Sequence, residues 1–372
     1  MTGGAPRNRR PRGRRAGSPP ARRDRPQPDA PRLAAFDLLR AVDERDAYAN
    51  LVLPGLLRER GLEGRDAGFA TELGYGTLRG RGTYDAVLGA CVDRPLGSVD
   101  PPVLDLLRLG SHQLLAMRVP SHAAVGATVE LARAVVGEGA GSFVNAVLRK
   151  VARQDLAGWV AEVAPPISSD PVGHLAVAHS HPAWVVTALR DALGGDLGET
   201  AAALRADNVP AEVALVARPG RATVAELVAA GADASVVVVD GRTPAWVDDT
   251  FDRVLLDAPC TGLGALRRRP EVRWRRQPAD VAPLVALQTD LLWGALDAAR
   301  PGGVVAYVTC SPVLAETRGV VGDVLRRRSD IERVDARPFL PGVPSLGPGP
   351  DVQLWPHRHA TDAMYLALLR RL

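Results

Sequence analysis

The chain has 372 residues, with 46 Lys or Arg against 42 Asp or Glu and a formal net charge of +4. That length fits two domains better than one, and the three cysteines, with no Cys-x-x-Cys among them, exclude a disulfide scaffold and argue against a zinc site. No apolar run approaches the roughly 18 residues of a membrane span, no apolar stretch follows the basic N-terminus as in a secretory signal, and reduced thiols point to a cytoplasmic protein.

Taken in chain order, residues 1–32 hold ten arginines and two aspartates, a local charge of +8. Residues 1–31 are Arg, Pro and Gly with almost nothing apolar, so they are expected to be a disordered tail, either solubilising or an RNA-tethering arm. Residues 32–156 read as helical throughout. Leu33, Phe36, Leu39 and Val42 recur at helical spacing, and further periodic runs follow at 66–79, 84–91, 103–117, 123–136 and 143–151. The spacing predicts a compact all-α domain of about six helices. The Gly-rich stretch 137–141 follows a helix rather than a strand, so it predicts an interhelical turn with Ser142 as the next N-cap, not a phosphate loop.

After Pro165 and Pro166 the character changes. Residues 157–234 read as a linker and a small α/β subdomain, with a helix at 184–193, a strand at 212–217 and a capping box from Thr223 to Glu226. Residues 235–372 read as the rest of an α/β domain. Val- and Leu-rich runs at 236–239, 253–256, 304–308, 331–334 and 364–369 alternate with helices, the clearest of which is 281–299. Such alternation predicts a mostly parallel sheet covered on both faces.

Two strand ends carry chemistry. One runs through Asp257 into Ala258-Pro259-Cys260-Thr261-Gly262, the other into Thr309-Cys310-Ser311-Pro312. With a helix between them they form a βαβ unit, whose crossover is right-handed and whose strands are parallel. Both therefore end at the carboxyl edge, where open α/β sheets bind ligands. Asp257, Cys260 and Cys310 should converge there. A lone cysteine is usually a small buried hydrophobe, and Cys91 on its helical run is read that way. The trio instead suits nucleophilic catalysis on an electron-poor ring, with a thiolate adding to the ring and a carboxyl group handling a proton.

Residues 266–276 form a second basic cluster, six arginines and one glutamate, so everything outside the two basic segments sums to −9. Basicity confined to two spots on an acidic body points to a polyanion partner. Arg267, Arg268, Arg269, Arg273, Arg275 and Arg276 are the candidate phosphate contacts, with Trp274 as a stacking partner. The pairs His179/His181 and His357/His359 read as surface or turn residues, and no metal site is expected.

These motifs carry a family resemblance. Asp-Ala-Pro-Cys-Thr-Gly-Leu-Gly at 257–264 and Thr-Cys-Ser-Pro at 309–312 resemble the two cysteine motifs of RNA cytosine-C5 methyltransferases. The segments 268–274 and 354–362 are similar to other motifs of that family. The helical domain, with Tyr75-Gly-Thr-Leu-Arg79 and Phe143-Val-Asn-Ala-Val-Leu-Arg149, resembles a NusB-type RNA-binding domain, a pairing similar to the RsmB/Sun type of 16S ribosomal RNA methyltransferase. The resemblance implies a NusB-like all-α domain followed by a Rossmann-like methyltransferase domain. It implies S-adenosylmethionine as cofactor and single-stranded or loop 16S ribosomal RNA as partner, acting on a base flipped from its stack. Cys310 would attack C6 of a cytosine, Cys260 would assist product release, and Asp257 would contact the base or the cofactor edge. A monomer is expected.

One part of the family pattern has no match. Its Gly-rich donor loop, Asp-x-Cys-Ala-Ala-Pro-Gly-Gly-Lys, and the acid that holds the donor's ribose are not found. Residues 231–235 run directly into Val236-Val-Val-Val-Asp240, which resembles the family's third strand, with Asp240 on the adenine side of the cofactor. By that comparison on the order of a hundred residues, including the central strand, are absent, so the central sheet is expected to be incomplete. Strand 236–239 should then pair directly with 253–256, since buried backbone groups need partners. Three readings stay open: a C5 methyltransferase, an RNA-binding remnant without a methyl-donor site, and a shortened gene model of an intact enzyme.

Overall fold

A computed structural model of the chain describes residues 2, 28–211, 240–242 and 247–372. The arginine-rich arm, the expected strands at 212–217 and 236–239 and the capping box at 223–226 lie outside the described residues.

Seven helices make the first part of the chain: α1 (Ala30–Arg45), α2 (Ala49–Glu59), α3 (Gly64–Cys91), α4 (Pro101–Leu115), α5 (Ser121–Val135), α6 (Glu138–Val151) and α7 (Leu156–Val163). Their apolar stripes close on one core of Leu, Val and Ala that also holds Phe36, Trp159 and Cys91. The two runs expected at 66–79 and 84–91 are one helix of 28 residues. Gly76, Gly80 and Gly82 do not break it, because each lies where a side chain approaches: a Cβ would stand 2.2 Å from His112, 2.3 Å from Tyr84 and 2.5 Å from Trp274 respectively. The N-cap expected at Ser142 is corrected to Gly137, whose φ of 140° only glycine adopts readily. Ser142 lies inside α6, its hydroxyl 3.4 Å from the Glu138 carbonyl. Arg108 on α4 forks onto Asp85 of α3 at 2.7 and 2.8 Å and reaches Asp105 at 3.0 Å. Asp105 also takes Arg40 of α1 at 2.6 Å, so three helices share one charge network.

Three further helices, α8 (Pro171–Ala178), α9 (Ala183–Ala192) and α10 (Leu197–Asp207), occupy most of the described part of the expected linker. They join a core with Leu263, Leu266, Val272, Val313 and Trp355 of the α/β domain.

That domain holds strands β1 (Phe251–Asp257), β2 (Ala299–Thr309), β3 (Ile331–Val334), β4 (Val352–Gln353) and β5 (Tyr365–Arg371). The order is β1-β2-β5-β3, with β4 also on β5. β1 and β2 are parallel, while β5 runs antiparallel to β2, β3 and β4. Four strands thus share one direction and the last reverses it, which makes the sheet mixed. Helices α11 (Val281–Ala298) and α12 (Arg318–Arg327) cover one face over Val305, Tyr307, Ala367 and Leu369. The opposite face is packed under Ala336, Leu346 and Val352; over β1, where Leu255 is 73% exposed, no core cluster among the described residues covers it.

The two parts of the chain meet along residues 271–275. Arg273 is fully buried and donates to the Ser180 carbonyl (3.1 Å), Asn208 Oδ1 (2.8 Å) and the Asp207 carbonyl (3.4 Å). Trp274 donates its indole N–H to the Leu78 carbonyl of α3 at 3.0 Å. Glu271 accepts from the Ala49 N–H at 3.3 Å, and Arg275 donates to the Ala47 carbonyl.

Candidate active site

β1 and β2 run in register to Asp257 opposite Val308, so their carboxyl ends stand side by side. The turns that leave them bring Cys260 Sγ to 3.5 Å from Cys310 Sγ. The convergence expected from the βαβ unit is thus present in the geometry. Both thiols are half-buried.

What fixes that separation is Glu316, fully buried just beyond the second turn. Its carboxylate accepts from the Thr261 N–H (2.8 Å), the Thr261 hydroxyl (2.6 Å), the Ser311 hydroxyl (2.6 Å) and Gln288 Nε2 (3.1 Å). Thr261 follows Cys260 and Ser311 follows Cys310, so one carboxylate clamps both cysteine turns. Gln288 also donates to the Pro259 carbonyl at 2.8 Å, and Tyr307 OH donates to the Glu316 carbonyl at 2.7 Å. Gly264 permits the remaining approach: its N–H reaches the Cys310 carbonyl at 2.9 Å, and its carbonyl accepts from the Ala363 N–H at 2.9 Å.

The thiols differ in proton affinity. A hydrogen bond from the Cys260 thiol brings the Cys310 thiol down to about 7, against burial and the negative charge of Asp257. Cys260 moves the other way: its hydrogen bond to Cys310, then burial, then the charges of Cys310 and Glu316 all favour its neutral form. Of the two, Cys310 is therefore the thiol that ionises first, with Cys260 the neutral thiol that donates to it.

The pair opens into a cavity of about 540 Å³, room enough for a nucleoside. Asp257, Arg269, Arg275 and Arg276 line it, and so do Asp46 and Tyr48 from the helical part of the chain. Arg276 Nε also donates to the Thr261 carbonyl at 3.2 Å. The guanidiniums of Arg269 and Arg275 each lie 5.1 Å from the centroid of the Tyr48 ring.

The basic cluster therefore divides. Arg269, Arg275 and Arg276 face the cavity. Arg268, exposed, is paired with Asp362, and Arg267 lies 3.5 Å from the Val209 carbonyl. Arg273 as a phosphate contact is corrected: a fully buried guanidinium spent on three carbonyl-type acceptors cannot reach RNA. Trp274 as a stacking partner is corrected as well, since its ring packs against Gly82 of α3 inside the seam. Cys91 is buried in the helical core. His181 is buried in the turn after α8, and His357 is 2.8 Å from Glu199.

Sequence reasoning missed Glu316, Gln288 and Tyr48. Glu316 and Gln288 look like ordinary helix-forming polar residues in the sequence, and only the approach of two distant turns makes them partners. Tyr48 stands more than two hundred residues from the arginines that hold it.

Asp240 sits in a turn where Arg242, at 2.6 and 3.0 Å, holds its carboxyl down at about 2. It does not line the cysteine cavity. The described residues do not complete a cradle for a nucleoside donor such as S-adenosylmethionine. β1 is the outermost described strand on that side, its Leu255 is 73% exposed, and no glycine-rich turn faces Asp257 from beyond it among the described residues.

Comparison with known proteins adds family evidence. Residues 221–370 match the model of the 16S rRNA methyltransferase RsmB/F family, and residues 29–153 match the NusB family. The chain is 44% identical to a Mycobacterium tuberculosis protein named only as a methyltransferase, over 95% of this chain and 100% of that one. It is 32% identical to the ribosomal RNA small subunit methyltransferase B of Thermus thermophilus, over 92% of this chain and 98% of the relative. The crystal structure of PH0851 shares the fold with a TM-score of 0.66 at 17% identity, over 92% of this chain and 99% of its own. The mycobacterial alignment spans 456 positions against the 372 residues here, so at least 84 positions (456 − 372) of that relative have no counterpart in this chain.

Proposed function

The chain belongs to the RsmB/F family of 16S ribosomal RNA methyltransferases, with a NusB-family domain ahead of the methyltransferase domain, and we propose that its cysteine pair attacks the ring of a cytosine in that RNA through Cys310. The family's substrate class is ribosomal RNA and its methyl donor S-adenosylmethionine. The observation that carries the proposal is the 3.5 Å thiol pair at the mouth of an arginine-lined cavity.

In the proposed reaction the Cys310 thiolate adds to C6 of a cytosine turned out of its stack. An Sγ–C6 bond forms, the C5=C6 π pair shifts onto the ring, and C5 becomes nucleophilic. Asp257, on the cavity wall, is the group we assign to the base's proton traffic. Once Cys310 is a neutral thioether it no longer accepts a proton from Cys260, and the largest cause holding Cys260 neutral is gone. S-adenosylmethionine, when bound, would supply the methyl group to C5; Cys260 then gives its own proton to solvent, and the resulting thiolate takes the C5 proton. The electron pair returns to C5=C6 and Cys310 departs as thiolate. Arg269, Arg275 and Arg276 are the proposed phosphate contacts, with Arg267 and Arg268 at the outer rim.

A ribosomal RNA fragment carrying 5-azacytosine, whose ring nitrogen at position 5 has no carbon-bound proton to lose, tests this. The full chain should give a band resistant to denaturing electrophoresis, absent in Cys310→Ala. No band from the wild-type chain would sink the assignment.

A second reading is favoured by the positions that lack a counterpart in this chain: an RNA-binding remnant without methyl transfer. Titration calorimetry with S-adenosylmethionine separates the two. Micromolar binding supports the methyltransferase, and no binding at millimolar donor supports the remnant. Re-reading the genomic DNA across codons 235–236 tests whether the sequence has been shortened there.

A further inference from the structure

The cavity wall is built from both parts of the chain. Tyr48 caps the start of α2 and supplies the one aromatic ring lining the cavity among the described residues. Its ring is 39% exposed, although it belongs to the helical part and is held from the other part by two guanidiniums at 5.1 Å. The loop that carries it is bolted down. Arg275 donates to the Ala47 carbonyl, Glu271 accepts from the Ala49 N–H at 3.3 Å, and Arg275 Nε stands 3.9 Å from Asp46. Two guanidiniums thus hold one partly exposed ring in place on the wall of the cavity that contains the cysteine pair, and set positive charge beside it.

A pyrimidine taken out of its helix loses its stacking partners, and a pocket that receives it must offer a flat surface and a charge for the adjoining phosphate. We propose that Tyr48, with Arg269 and Arg275, forms that surface: the nucleotide presented to Cys310 stacks on the Tyr48–arginine wall, and the helical domain thereby builds part of the base pocket. This rests on the reading that Cys310 attacks an RNA base, and it deepens that reading by placing substrate recognition on a residue outside the methyltransferase domain. Asp46, on the same loop, borders the pocket with negative charge and limits how far a phosphate can slide toward the helical part. Arg269 is exposed and makes no ion pair among the described residues, so its charge is available to that phosphate.

The test uses the full chain with Tyr48→Ala and Tyr48→Phe. Adduct formation is measured against the concentration of an azacytosine-bearing 16S fragment, and the adducted nucleotide is mapped by reverse-transcription stops. Stacking of one base accounts for roughly 1–3 kcal/mol, so Tyr48→Ala should lower adduct formation at limiting RNA by about 5- to 150-fold, with Tyr48→Phe staying within about twofold. Alkylation of Cys310 by iodoacetamide without RNA should be unchanged in both variants. Equilibrium binding of the same RNA should be weakened by Tyr48→Ala, and that binding deficit should vanish on RNA made abasic at the mapped nucleotide. Wild-type adduct formation by Tyr48→Ala overturns the proposal, as does a binding deficit that persists on abasic RNA or an adduct deficit that comes with altered alkylation. If the wild-type chain forms no adduct, the Cys310 reading falls, and Tyr48 is judged by equilibrium binding of the same RNA. Weakening by Ala but not by Phe then sustains the stacking wall, and equal binding by all three removes it.

Discussion

Glu316 accepts both the backbone N–H of Thr261, at 2.8 Å, and its hydroxyl, at 2.6 Å, across 55 residues of sequence. The same carboxylate takes Ser311 and Gln288. The two cysteine turns are thus one rigid object, and the thiol separation follows from a buried acid that touches neither sulfur.

Truncating that acid should be expensive. Glu316→Ala removes the acceptor shared by four donors in a site closed to water. The Thr261 N–H is left without it, while Gln288 keeps the Pro259 carbonyl and the Thr261 and Ser311 hydroxyls keep each other at 3.2 Å. A loss of about 2–4 kcal/mol is expected. Glu316→Gln keeps one carbonyl for Thr261 N–H and Gln288, and its NH2 can donate to two hydroxyls able to rotate into acceptors, so only charge assistance is lost, about 1–2 kcal/mol. Urea unfolding midpoints of the two variants measure the difference. Equal stability of Ala and Gln would refute the clamp.

The thiol pair has a pH signature. Cys310, at about 7, should react with iodoacetamide along a curve with its midpoint near neutrality. The hydrogen bond from Cys260 favours the thiolate, so Cys260→Ala must move the midpoint upward, while burial and Asp257, which already oppose ionisation, remain. A midpoint that stays near 7 in Cys260→Ala would mean that the thiol is ionised by something other than its neighbour.

How much of this was legible in the sequence depends on the range of the interaction. The meeting of Cys260 and Cys310 was readable because βαβ handedness is nearly invariant and fixes which strand ends coincide. Seven expected arginine and tryptophan contacts were not separable from one another, because 267–276 has the same composition whether a residue faces RNA or another helix. Only the docking of α3 and α10 turns Arg273 and Trp274 inward. The single long α3 was missed for a related reason. Glycines at 76, 80 and 82 look like helix breakers, yet Gly76 and Gly82 sit under His112 and Trp274 from elsewhere in the fold and Gly80 under Tyr84 one turn on, and this packing overrides their low propensity.

Gly264 shows the opposite case, a glycine whose lack of a side chain is structural. A Cβ there would lie 2.0 Å from the Ala363 carbonyl oxygen and 2.8 Å from that of Cys310, both backbone atoms that cannot swing aside. Gly264→Ala should cost about 1–3 kcal/mol by overpacking. Because the displaced atom belongs to Cys310 itself, adduct formation should fall even in the fraction that stays folded. An alanine variant with wild-type adduct yield would show that the turn has slack the geometry does not suggest.

The seam and the cavity wall use the same residue type for different ends, and substitution should separate them. Arg273→Ala removes the donor to Ser180, Asn208 and Asp207 from a fully buried position, and a loss of about 3–5 kcal/mol is expected. Arg269→Ala, on an exposed side chain, should change stability by less than about 0.5 kcal/mol but reduce the salt dependence of RNA binding by about one ion. The pH dependence distinguishes them further. Burial raises the Asp207 carboxyl to about 7, with Arg273 as the main opposing charge. An acid whose folded pKa lies above its unfolded value of ~3.9 gives its full stability below that value and loses it as pH rises through the folded one. In the wild-type chain that loss spans about pH 4 to 7. Without Arg273 the Asp207 carboxyl moves higher still, so the decline should continue above neutrality in Arg273→Ala and follow the wild-type course in Arg269→Ala. Unfolding midpoints recorded from pH 4 to 9 read this directly, and parallel profiles for wild type and Arg273→Ala would show that the buried arginine does not hold the charge of Asp207.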